Sequence, residues 1–121
     1  MNFVAADVAR ANGGSASVVL PGGGQARAKV RNGAPPTGQV ELGVRPEHIA
    51  LTAPDDPNAA FPGAVVVVEH LGSARILYVD TPAGQLIVQG EGNLAVRPGE
   101  KVGLSMNEAE VRLLGPTGEA L

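Results

Sequence analysis

"AVVVVEHLGSARILYVDTPAGQLIVQG", residues 64–90, decides the fold class. Three runs rich in Val, Ile and Leu, at 64–72, 73–81 and 85–90, the last two joined by the short turn "PAG" at 82–84, have the layout of consecutive strands. The four valines 65–68 predict a strand buried on both faces. Downstream, "KVGLSM" (101–106) and "EVRLLG" (110–115) continue the pattern, and Pro98-Gly99 in "RPGE" predicts a type II turn. Upstream, "QVELGV" (39–44) alternates with Val40, Leu42 and Val44 on one side, and "IALT" (49–52) reads as a short strand.

At the amino end, residues 2–10 lead into "ANGGS", where Asn12, Gly13 and Gly14 supply the positive-φ positions of a tight hairpin. The return strand is "SASVVL" (15–20), closed by Pro21 and three glycines, followed by "QARAKVR" (25–31). In that strand Arg27, Lys29 and Arg31 share one face, while Ala26, Ala28 and Val30 line the other. "NGAPPTG" (32–38) is a further turn, and "APDDPNAAFPG" (53–63) is read as a long exposed loop because its prolines and paired aspartates resist regular structure. The expectation is an all-β fold: a small OB-like barrel or sandwich of about nine short strands with Greek-key character. Its two β lobes, 1–52 and 62–121, would be joined by the loop 53–61.

The 121 residues suit one core. Nine Lys and Arg against twelve Asp and Glu give a net charge of -3, which supplies no global field for phosphate backbones. There is no cysteine, so disulfides, thiolate metal sites and thiol nucleophiles are excluded. No apolar run reaches the roughly 20 residues of a spanning helix, and "MNFVAADVAR" lacks the basic-then-apolar layout of a signal peptide. A soluble cytoplasmic location is expected. The aromatics are Phe3, Phe61 and Tyr78, too few to form the stacking platforms of a single-strand nucleic-acid binder.

"LGVRPEH" (42–48) interrupts an alternating strand with Arg45, Pro46, Glu47 and His48. Pro46 fixes φ and lacks an N–H, so it suits the first position of a helical turn and ends the strand at Arg45. The heptad therefore reads as a strand-to-turn-to-strand corner, in which Arg45 could pair with a carboxylate.

"LGVRPEHIAL", followed by "GAVVVVEHLG" and the remainder to Leu121, closely resembles the C-terminal TOBE-type regulatory domain of sugar ABC importer ATP-binding subunits, the family of the maltose and glycerol-3-phosphate importer ATPases. The family motif matches Leu42, Gly43, Arg45, Pro46, Glu47 and His48, then Glu69, Leu71, Gly72 and Tyr78. Arg75 departs from the family's acidic or polar residue, and Arg112–Gly115 replace its His-Leu-Phe-acidic ending. The resemblance implies a TOBE/MOP-like fold and a regulatory, dimerising role on the inner face of the membrane. The implied partners are a second copy, the protein's own N-terminal nucleotide-binding domain, permease subunits and a regulatory protein that would meet Gly43 and Gly63. No nucleic acid is implied.

The resemblance also implies no cofactor here, ATP and Mg belonging to the nucleotide-binding domain. "PGGGQARAK" (21–29) has glycines but no Gly-Lys-Ser/Thr, so it is a hairpin turn and not a phosphate loop. His48 and His70 stand 22 residues apart without further ligands, and Ser15, Ser17, Ser73 and Ser105 have no identifiable base. The chain is therefore read as non-enzymatic. The alternative function is a molbindin-like oxyanion site, with Arg45 and Ser73 as candidate contacts.

Overall fold

Glycine-bearing turns join short alternating strands, and the turns set which strands pair first. The computed structural model describes residues 1–12, 14–30, 38–92, 94–115 and 118–121. Among them are ten strands: β1 (Asn2–Asn12), β2 (Ser15–Val19), β3 (Gln25–Lys29), β4 (Gln39–Val44), β5 (Ile49–Thr52), β6 (Phe61–Leu71), β7 (Ala74–Thr81), β8 (Gly84–Glu91), β9 (Lys101–Met106) and β10 (Arg112–Leu114). Two single 3-10 turns, Pro46–His48 and Glu108–Glu110, complete the elements, and no α-helix occurs among the described residues. Gly13, Arg31 and most of the expected turn at 32–38 lie outside them.

The strands form two antiparallel five-stranded sheets, ordered β10-β4-β1-β2-β3 and β5-β9-β6-β7-β8. The expected lobes 1–52 and 62–121 do not coincide with these sheets. β5 leaves the first half of the chain to pair with β9, setting Leu51 opposite Leu104. β10 returns from the second half to pair with β4, setting Leu113 opposite Leu42. Local alternation determines which face a side chain takes but not which strand it will meet, so the exchange could not be read from the pattern.

The exchange is symmetric. Renaming β1–β5 as β6–β10, and the reverse, turns one sheet order into the other. The chain is thus two copies of one five-strand unit that trade their last strands. Val40, Leu42, Ile49 and Leu51 each recur 62 positions later as Val102, Leu104, Val111 and Leu113. Even the irregularity repeats, with a register shift between Val8 and Arg10 in β1 and another between Val65 and Val67 in β6.

One aliphatic cluster lies between the sheets, including Leu42, Leu77, Leu104 and Leu113 with Val18, Val44 and Val79. Two expectations are corrected here. Phe61, assigned to the exposed loop, is 1 % exposed and opens β6 beside buried Ala60, so the loop ends before it. The valine run is not buried on both faces either: Val65 is covered, whereas Val66 and Val67 are 42 % and 43 % exposed. An antiparallel sheet needs only one covered face, and a bulge sets two consecutive residues outward.

The start of β1 and the middle of β8 are joined by a side chain acting as a peptide group. Asn2, itself buried, donates its Nδ2–H to the Ile87 carbonyl at 2.7 Å and accepts the Ile87 N–H at 2.9 Å. Hydrogen bonding thereby continues from one sheet to the other.

Candidate functional site

The heptad is the point where the chain changes sheets. Leu42, with no exposed surface, anchors β4 in the core, and Arg45 stays extended (φ -75°, ψ 148°). Pro46 opens the 3-10 turn, the His48 N–H closes it on the Arg45 carbonyl at 3.0 Å, and Ile49 starts β5. Glu47 occupies the first position after the proline and is exposed. The second crossover, from β9 to β10, is also a three-residue 3-10 turn between extended residues, but in place of the proline it has Asn107, whose side chain accepts the Ala109 N–H at 2.9 Å.

The two crossovers touch. His48 Nδ1 lies 3.4 Å from Glu110 Oε2, so the carboxylate at this corner faces His48, and Arg45 has no ion pair among the described residues. On the other side of the second turn, Ser15 Oγ donates to Glu108, and Arg27 Nε stands 3.8 Å from Glu108 Oε1. The stripe of Arg27 and Lys29 is outward, opposite buried Ala26 and Ala28, as expected. Exposed pairs of this kind contribute about 0–1 kcal/mol, so they orient the turns more than they stabilise them.

The second motif cluster meets in space. Tyr78 lies opposite Val67, and Glu69 is two residues farther along β6 on the same face. The Tyr78 hydroxyl donates to the Glu69 carboxylate. That hydrogen bond, and then the negative charge, hold the phenol above its ordinary value of 10.0, with a smaller contribution from burial. Gly72 has φ +58° and precedes a residue of negative φ, so the Leu71–Ala74 hairpin is a type II′ turn needing glycine at this position.

Gly63 is held to glycine by packing within the domain, whereas the space at Gly43 would admit a Cβ in ordinary contact. A Cβ on Gly43 would meet the Phe3 ring at 3.4 Å and Met1 Sδ at 3.5 Å, and Gly43 is covered by them. On Gly63 it would come within 2.5 Å of Val79 Cγ1. Arg75, the family departure, donates from Nη1 to the Leu94 carbonyl and so ties β7 to the segment after β8. Its Nε is buried without a partner among the described residues.

Among the described residues no group of three or more His, Asp or Glu side chains is placed to hold a metal. His70 is exposed on β6, and His48 faces a carboxylate, not a serine. Arg45 at the crossover and Ser73 in the β6–β7 turn share no hydrogen-bond partner among the described residues. Sequence reasoning missed two open grooves. One of about 500 Å³ on the first sheet is lined by Ala5, Asp7, Val19, Pro21 and Glu41. Another of about 540 Å³ runs between β3 and the loop 57–60, beside Arg27 and Glu108. The pairs that recur 62 positions apart were the signal that could have revealed the duplicated framework.

Comparison with known proteins agrees with this architecture. The chain is 34% identical over 122 residues to the ABC transporter ATP-binding protein y4oS of Sinorhizobium fredii, covering 96% of this chain and 29% of that protein. It is 31% identical to the alpha-glucoside transport ATP-binding protein AglK of Rhizobium meliloti, covering 99% of this chain and 33% of the relative. The lactose transport ATP-binding protein LacK of Rhizobium radiobacter is also 31% identical, covering 100% of this chain and 34% of the relative. The chain thus spans about a third of the length of the curated relatives it matches. In fold it is similar to the cytoplasmic molybdate-binding protein ModG, with a TM-score of 0.75, 15% identity, and coverage of 93% of this chain and 94% of that one. The TOBE domain family matches residues 42–114, from the heptad to the end of β10, and the chain belongs to that family.

Proposed function

We propose that this chain is the regulatory and dimerising domain of the ATP-binding subunit of an ABC importer for sugars or related small solutes. The observation that carries the reading is the match along nearly all of the chain to ATP-binding proteins of alpha-glucoside and lactose transport, each about three times as long. The role is mechanical. A two-sheet body whose halves exchange their last strands suits a contact that persists while a motor domain opens and closes. The heptad supplies the stiff corner, and ATP and Mg act in the rest of the subunit. A second copy, the nucleotide-binding domain and the permease subunits are its partners, at the cytoplasmic face of the membrane.

The test is an intact mass and peptide map of the native polypeptide, captured from source-cell membranes with an antibody to this domain. The expected result is a chain much heavier than 12.2 kDa that contains a Gly-Lys-Ser/Thr phosphate-loop peptide and brings permease peptides with it. A native 12.2 kDa protein confined to the soluble fraction would overturn the reading.

A further inference from the structure

The two halves share a framework, and the outer face of the first also exposes Phe3 and Val19, yet the rows just after the two bulges differ in chemistry. Across β1, β2 and β3 the row just after the bulge is Arg10, Ser17 and Arg27. At the equivalent positions of β6, β7 and β8 stand Val67, Tyr78 and Ile87. The next rows are Glu69, Ile76 and Gln89, then Leu71, Ala74 and Glu91. Leu77, Val79 and Val88 occupy the opposite, buried face of the same strands. Val66, Val67, Leu71 and Ile87 are all exposed large hydrophobics of this one hairpin pair, at 36–56 %. The bulge is what turns both valines outward.

We propose that the outer face of β6–β7–β8 is a docking surface for a protein segment presenting apolar and basic side chains together. Clustered exposed apolar residues on a soluble domain mark an interaction site, and the row after the first bulge shows that the framework itself does not demand them there. Charge selects the partner. Glu69, Glu91 and Asp80 lie on this face and are exposed, while the basic residue on it is Lys101, one strand beyond Ala64 on β9. A second copy meeting it face to face would set six carboxylates against two lysines, and an anionic lipid surface would be repelled. A segment carrying Lys or Arg beside Leu or Val satisfies both features. This inference does not depend on the importer assignment.

Tyr78 is the single tyrosine and there is no tryptophan, so its emission reports on this face alone. The experiment titrates the 121-residue chain with a synthetic leucine–lysine amphipathic peptide and with its leucine–glutamate counterpart. Tyr78 fluorescence and methyl NMR shifts are followed, and sedimentation is measured in parallel. The expected result is saturable binding of the lysine peptide, with shifts confined to Val66, Val67, Leu71, Ile76 and Ile87. Glu69→Gln with Glu91→Gln, and separately Val67→Ser with Ile87→Ser, should each weaken binding at least about fivefold while circular dichroism stays unchanged. Equal binding of both peptides, or shifts centred on the β1–β3 face, would overturn the proposal. So would self-association that buries Tyr78, or preferential binding to phosphatidylserine vesicles.

Discussion

Asn2 presents one N–H and one oxygen to Ile87 as a neighbouring peptide unit would, so its removal is felt at two backbone groups. Asn2→Ala leaves both without their partner and is expected to lower stability by about 1–3 kcal/mol, read from the urea midpoint. Asn2→Asp keeps the acceptor and loses the donor. Tyr78 makes a second residue-scale prediction. Its folded-state proton is held more tightly than in the unfolded chain, so this contribution is complete below about pH 10 and is lost as pH rises through the higher folded-state value. Glu69→Gln should bring the phenol back toward 10.0 and remove that pH dependence, measured by phenolate absorbance of the lone tyrosine.

β10 shows how little length a strand needs once it has a place. It has three residues, but Leu113 is 1 % exposed and stands across from Leu42, which is fully buried. Leu113→Ala is expected to cost about 2–5 kcal/mol, whereas Arg112→Ala, on the opposite face, loses its hydrogen bond to the Ala109 carbonyl and should cost about 0.5–1.5 kcal/mol; thermal denaturation separates them. The strands themselves were legible from alternation and turn residues: "QVELGV", "IALT" and "KVGLSM" appear as β4, β5 and β9. Pro46 marked the corner, and Pro98-Gly99 marked a turn that has the expected positive φ at glycine. Four adjacent valines were misleading because an unbroken apolar run contains no sign of a bulge, and the bulge decides which of them face solvent. The Glu69–Tyr78 contact was also hidden, since it spans two strands and depends on their register.

At the scale of the whole molecule, duplication and exchange determine how the chain holds together. Neither half completes its own sheet: the first takes its outer strand from residues 112–114, and the second from residues 49–52. The groups that close the crossovers, His48 and Glu110, likewise come one from each half. Unfolding should therefore proceed as one transition, with coincident midpoints for Tyr78 fluorescence in the second half and for backbone circular dichroism. The interlaced strands also make the chain a natural split protein. A cut between Asp56 and Pro57, in the loop before β6, would leave two polypeptides clasped by the edge strands they have swapped. Expressed singly, each would offer an open β edge to whatever chain it met first.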